Sequence, residues 1–105
     1  MWSEEEIDFS VEIAGNGVVG VHGDIDLASA PRFEEALRHA VHEHGGDLTI
    51  DFTDVGFMDS SGMNVLVRIY KAIDGDGRSL NLVHLSSPVR RALEVGGVAG
   101  FATLG

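Results

Sequence analysis

The sequence contains no cysteine. Disulfides, thiolate nucleophiles and zinc sites built on sulfur are therefore excluded. Lysine occurs once, at Lys71, and the formal net charge is -10. So acidic a surface repels nucleic acid phosphates and argues against a DNA- or RNA-binding role. Basic amphipathic stretches are missing too, and with them the mark of a membrane-surface helix. No segment approaches the roughly 18 continuous apolar residues of a membrane span. The opening Met1-Trp2-Ser3-Glu4-Glu5-Glu6 is an acidic tail. It lacks the positive start and apolar run of a signal peptide. A soluble, cytoplasmic protein with no nucleic acid or membrane partner is expected.

What is present fits one domain over residues 1–105, with 44% hydrophobic residues to build its core. Ile7, Phe9, Val11 and Ile13 alternate with Asp8, Ser10 and Glu12, the period of a half-buried strand. Gly15-Asn16-Gly17 is a turn signal, and Val18 to His22 completes an antiparallel hairpin. Ser29 and Pro31 mark a helix start. Phe33, Ala36, Leu37, Ala40 and Val41 give that helix one apolar face, and Gly45-Gly46 stops it. A short strand, Leu48 to Phe52, leads to a second helix with Met63, Leu66, Val67, Tyr70 and Ile73 at helical spacing. Asp74-Gly75-Asp76-Gly77 breaks the chain before a strand carrying Leu80, Leu82, Val83 and Leu85. Ser86-Ser87-Pro88 opens a third helix whose apolar residues are Val89, Ala92, Leu93 and Val95, ending at Gly96-Gly97. A last short strand is placed at 101–103. The order β-β-α-β-α-β-α-(β) predicts an α/β domain. Its sheet is mixed and four- to five-stranded, with an N-terminal antiparallel hairpin, parallel later strands with right-handed crossovers, and three or more helices.

Asp59-Ser60-Ser61-Gly62 stands where the second helix begins. Asp and Ser are preferred capping residues, so the stretch has a purely structural reading. Gly62 allows close packing or a sharp bend. A helix N-terminus also tolerates negative charge. A phosphate there would add close to two charges without melting the helix, and would change the surface around it. Phe57 and Met58 lie in the preceding loop; exposed, they would form a contact patch that such a phosphate disrupts. A Ser-His hydrolase is disfavoured. His39, His42 and His44 fall late in the first helix, His22 and His84 at strand ends, and no Gly-x-Ser-x-Gly elbow is present.

Phe57-Met58-Asp59-Ser60-Ser61-Gly62, with Val65-Leu66 and Tyr70-Lys71 after it, resembles the signature of the STAS-domain anti-sigma-factor antagonists. Gly23-Asp24-Ile25-Asp26 is similar to the family's Gly-Glu-Leu-Asp, and Ser86 to Val98 to its third-helix segment. The resemblance implies a STAS-like fold and a phosphoacceptor at Ser60. It implies an anti-sigma factor that is itself a serine kinase of the histidine-kinase-like ATPase type, and a metal-dependent serine phosphatase that reverses the modification. The unmodified antagonist would bind the anti-sigma factor and free the sigma factor; the phosphorylated form would not bind. No catalysis, metal or cofactor is implied for the chain itself. Asp26, Asp59, Ser61 and Gly62 would form the phosphosite's surroundings, and Asp24, Phe57, Met58, Met63 and Asn64 the partner surface. For Asp26 the competing reading is a turn or cap acid. Ser61 is assigned to the helix start.

Met63-Asn64 stands where many members have Leu-Gly, which implies an altered or more selective partner surface. Pro88 is displaced by one from the usual Ser-Pro, and members commonly carry a further C-terminal helix. Three other functions compete with the switch. One is a constitutive STAS assembly module, a transporter accessory or scaffold subunit without phosphate control. Another is a nucleotide or small-ligand sensor, for which no phosphate-binding Gly-x-x-x-x-Gly-Lys loop is present. An enzyme ranks last.

Overall fold

The computed structural model describes residues 8–105. The acidic tail and the predicted strand start at Ile7 lie outside the described residues. The hairpin pairs β1 (Ser10–Ile13) with β2 (Val19–His22) antiparallel, setting Val11 opposite Val21 and Ile13 opposite Val19. Its turn closes through Asn16, whose Oδ1 accepts from the Val18 N–H at 3.1 Å. Three β-α crossovers follow. They comprise α1 (Ala30–Glu43), β3 (Leu48–Asp54), α2 (Ser60–Asp74), β4 (Leu80–Val83), α3 (Ser87–Val95) and β5 (Thr103–Leu104). A single 3₁₀ turn, Val98–Gly100, joins α3 to β5.

The strands pair in chain order, β1-β2-β3-β4-β5, and every pair after the hairpin is parallel. Crossovers of one hand that always step the same way place all their helices on the same face of the sheet. The burial pattern agrees. Val19, Val21, Leu48, Ile50, Phe52, Leu80 and Leu82 are buried on the helix side. The alternating residues, among them His22, Thr49, Asp51 and Asn81, remain partly accessible on the other. Phe33, Leu37 and Ala40 of α1 and Val65, Leu66, Ile69 and Ile73 of α2 fill the space above the sheet. Arg78 fastens the far end: its guanidinium donates to the carbonyls of Val41 (3.3 Å) in the last turn of α1, His44 (2.6 Å) at its C-cap and Gly46 (2.6 Å) in the loop beyond.

Four expectations are corrected. β4 stops at Val83 rather than Leu85, because His84 takes a left-handed backbone (φ 59°) that turns the chain toward α3. The last strand lies at Thr103–Leu104; Phe101 instead packs against Tyr70, ring centroids 4.9 Å apart. Val95 leaves the apolar face of α3 and is 81% exposed. Ser29 does stand at the start of α1, but its hydroxyl donates to the Asp24 carbonyl (2.7 Å) and accepts from the Asp26 N–H (3.0 Å) instead of capping the helix.

Candidate functional site

The loops after β2 and β3 meet at the C-terminal edge of the parallel strands, the edge where open α/β sheets place their sites. Gly23 begins the first loop with φ 113°, and a side chain there would strike the backbone carbonyl of Asp8. Its own N–H donates to the Asp54 carbonyl at 3.0 Å. Ile25 then bridges to Met58 in parallel fashion. The Ile25 N–H donates to the Phe57 carbonyl at 2.9 Å, and the Asp59 N–H to the Ile25 carbonyl at 3.1 Å. These bonds fix the position and direction of the loop that enters α2.

Asp59 is the N-cap of α2: its backbone is extended and its Oδ1 accepts from the Ser61 N–H at 2.8 Å. Ser60 is the first residue of the helix and is exposed. Its hydroxyl has no hydrogen-bond partner among the described residues. The capping work of the Asp-Ser-Ser-Gly stretch thus falls to Asp59, leaving the Ser60 hydroxyl facing solvent at the positive end of a helix dipole. Gly62 is packed from below: a Cβ on it would sit 2.6 Å from Ile25 Cγ2 and 3.0 Å from Met58 Cε.

The sequence-predicted site residues divide. Phe57 is 50% exposed, whereas Met58 is 4% exposed and belongs to the core. Met58 is therefore no contact residue. The bridge to Ile25 turns its side chain under Gly62, and its role is to support the loop. Met63 is half-buried, its sulfur against Gly96 at the end of α3, so it joins α2 to α3 more than it offers a free surface. Asn64 is exposed. Asp24 is exposed too, its Oδ1 3.8 Å from the place a Gly56 Cβ would take, which puts it beside the second loop. Asp26 turns back into its own loop, its Oδ1 accepting from the N–H groups of Ala28 (3.0 Å) and Ser29 (3.1 Å). That is the turn-acid arrangement; Asp26 orders the segment that carries Ile25.

Two groups that patterning did not single out border the site. Glu34 on α1 accepts from Arg68 on α2 (2.7 Å) and from Arg38 (2.7 Å), clasping the two helices together. These guanidinium contacts, Arg68 foremost, hold its carboxyl down at about 2. At the end of β2, His22 lies between Glu12 Oε1 (2.7 Å) and Asp54 Oδ2 (2.6 Å). The hydrogen bonds to Glu12 and then Asp54 raise its pKa above the ordinary histidine value. Single-sequence patterning carries no signal for either, because the partners come from separate elements. Among the described residues no group of side chains is arranged to hold a metal ion.

The family model described as "Mlab, STAS domain" matches residues 9–104. The chain belongs to the STAS domain family. It is similar to the anti-sigma-B factor antagonist of Bacillus subtilis (strain 168), with 39% identity over 80 residues, 76% of this chain and 72% of that protein. Among solved structures it is similar to an anti-sigma factor antagonist from Mycobacterium paratuberculosis, with a TM-score of 0.79 and 28% identity, covering 99% of this chain and 89% of that one. A STAS domain protein from Planctomyces limnophilus shares the fold at a TM-score of 0.73 and 20% identity, covering 93% and 88%. The mixed sheet and the helices laid out above are thus those of STAS domains. No helix among the described residues is long and apolar enough to cross a membrane.

Proposed function

We propose that this STAS domain is an anti-sigma-factor antagonist, working in the cytoplasm and switched by phosphorylation of Ser60. The observation that carries the proposal is the division of labour at the start of α2. Asp59 caps the helix, so the Ser60 hydroxyl stays exposed and available to a kinase. The similarity to proteins named anti-sigma factor antagonists supports the partner class. The partner is an anti-sigma factor with serine kinase activity of the histidine-kinase-like type. It moves the γ-phosphoryl group of ATP to Ser60 Oγ, the hydroxyl proton is lost and ADP leaves. A metal-dependent phosphatase hydrolyses the phosphoserine, consuming water, restoring the hydroxyl and releasing inorganic phosphate.

The physical basis of the switch is local. A phosphate at the first position of α2 is tolerated by the helix dipole, so the fold survives modification. It adds nearly two charges beside Asp59, at the end of the loop that carries the exposed Phe57, on a surface that must lose water to dock. Docking is opposed while the domain remains folded.

Incubation with ATP and the cognate anti-sigma factor, followed by peptide mass spectrometry, tests this directly. Phosphate on the peptide containing Ser60, and its loss in Ser60→Ala, is the expected result. Binding of the anti-sigma factor that is equal for Ser, Ala and Asp at position 60 would instead identify a constitutive assembly module.

A further inference from the structure

His22 closes both of its strand ladders. It is the last residue of β2 to pair with β1, opposite Ser10, and the last to pair with β3, opposite Asp54. The second ladder is irregular at this end. Two steps along β2, from Gly20 to His22, match three along β3, from Asp51 to Asp54. Ladder ends are where a sheet frays first. The side chain of His22 spans this weak point on the open face of the sheet. Its Nδ1 lies 2.6 Å from Asp54 Oδ2 and its Nε2 2.7 Å from Glu12 Oε1, so one ring ties β1 to β3 across β2. Gly20, two residues earlier on the same face, leaves room for the Glu12 carboxylate: a Cβ there would stand 3.3 Å from Glu12 Oε1.

These two contacts set the charge of the ring. A carboxylate oxygen only accepts, and a neutral imidazole has a single N–H. Neutral His22 serves one acid and turns a nitrogen lone pair on the other at less than 3 Å. Only the imidazolium donates to both. The groups around it share one sign. β1 brings Glu12, and β3 brings Asp51 besides Asp54. Asp8 and Asp24 flank Gly23, the residue that follows. His84, beyond β4, is turned to Asp51 at 3.2 Å. We infer that His22 is a proton-operated clasp at the base of the two loops that lead to Ser60. Protonated, it ties the three strands together; neutral, it releases one of the two acids and the loops loosen. The connection to the loops is direct. His22 runs into Gly23–Ile25 and Asp54 into Val55–Asp59. The loops are joined by the amides of Gly23, Ile25 and Asp59, which donate to Asp54, Phe57 and Ile25. The hydrogen bonds to Glu12 and then Asp54 raise the pKa of His22, so the clasp is fully closed below pH 6.5 and opens as pH rises through the raised value. It needs neither a partner nor a phosphate, and stands or falls separately from the proposed function.

Amide hydrogen exchange followed by NMR from pH 6 to 8.5 at low salt tests the clasp in the wild type, His22→Gln and Glu12→Gln. Rates are divided by the intrinsic rate at each pH, so that only protection is compared. His22 is partly exposed, which makes the effect modest. In the wild type, protection of the Gly23, Ile25 and Asp59 amides should fall at least threefold across this range, with its midpoint at the titration of the His22 imidazole. Amides of β4 should keep theirs. His22→Gln has no proton to lose, and its loop protection should not change with pH. Glu12→Gln keeps the ring and removes one acid, so the imidazole titration and the loop transition should move to lower pH together. A wild-type fall of less than threefold, or the same fall in His22→Gln, overturns the clasp. So does a loop transition in Glu12→Gln that stays at the wild-type pH.

Discussion

Replacing Gly62 by alanine adds a single carbon atom, and two well-defined effects then oppose each other. In a helix interior, alanine is favoured over glycine by about 1 kcal/mol, less so near an end. Against this, the new Cβ lies 2.6 Å from Ile25 Cγ2 and 3.0 Å from Met58 Cε. Carbon atoms in contact prefer about 3.5–4.0 Å, so the deficit against Ile25 is about 1 Å. Met58 is flexible, but Ile25 is fully buried, stiff at χ1 and held at both its N–H and its carbonyl by Phe57 and Asp59. Overpacking a closed site of this kind costs about 1–3 kcal/mol. The clash outweighs the propensity gain, and a net loss of about 1–2 kcal/mol is expected. That corresponds to a fall in Tm of roughly 5–15 °C for a domain of this size. Urea unfolding with the m-value held constant gives the free energy directly. In an Ile25→Ala background the penalty should shrink to within about 0.5 kcal/mol, since the obstructing methyl is gone. A Gly62→Ala protein as stable as the wild type, or more stable, would refute the tight packing of α2 on the Ile25–Met58 bridge.

The remaining predictions separate structural from signalling residues. Asp59→Ala should lose about 0.5–2 kcal/mol by removing the α2 cap, while Ser60→Ala should stay within about 0.5 kcal/mol of the wild type in the same urea titration. Arg78→Ala should cost about 2 kcal/mol through the abandoned carbonyls at the end of α1 and in the loop after it, and hydrogen exchange of the last turn of α1 should accelerate before that of the sheet. For His22, a raised folded pKa means that its pairing with Glu12 and Asp54 stabilises the fold below pH 6.5, and that this contribution is lost as pH rises through the raised value. Thermal unfolding of His22→Gln from pH 5 to 8.5 should therefore differ most from the wild type at the acid end, and imidazole chemical shifts should titrate above the ordinary histidine value. For Glu34, held at about 2, stabilisation is present above about pH 4.5 and lost as pH falls toward 2. Glu34→Gln should flatten that acid limb.

Much of the fold was legible in local pattern. The period of two in β1, the apolar faces of α1 and α2, and the glycine and proline punctuation are consequences of nearby residues, and they predicted the order of elements. The errors share a cause in longer-range contacts. Phe57 and Met58 are neighbours with similar apolarity, and only the bridge between Ile25 and Met58 decides which of them enters the core. Val95 fits the spacing of an apolar helix face, but α3 ends there and Gly96 turns to receive Met63, leaving Val95 in solvent. Asp26 is a site acid by motif and a turn acid by hydrogen bonding, a distinction set by the N–H groups of Ala28 and Ser29. The exposed Ser60 hydroxyl follows from Asp59 accepting the Ser61 N–H, and any of three adjacent capping residues fits that role by composition alone.

The most direct measurement of the central claim is the affinity of the cognate anti-sigma factor for two forms of the same protein, unmodified and stoichiometrically phosphorylated on Ser60. Folding of each form is verified by its unfolding midpoint. Tight binding of the unmodified form, a loss of at least a hundredfold on phosphorylation, and nearly equal midpoints are predicted. Equal affinity of the two forms, with both folded, would contradict the switch.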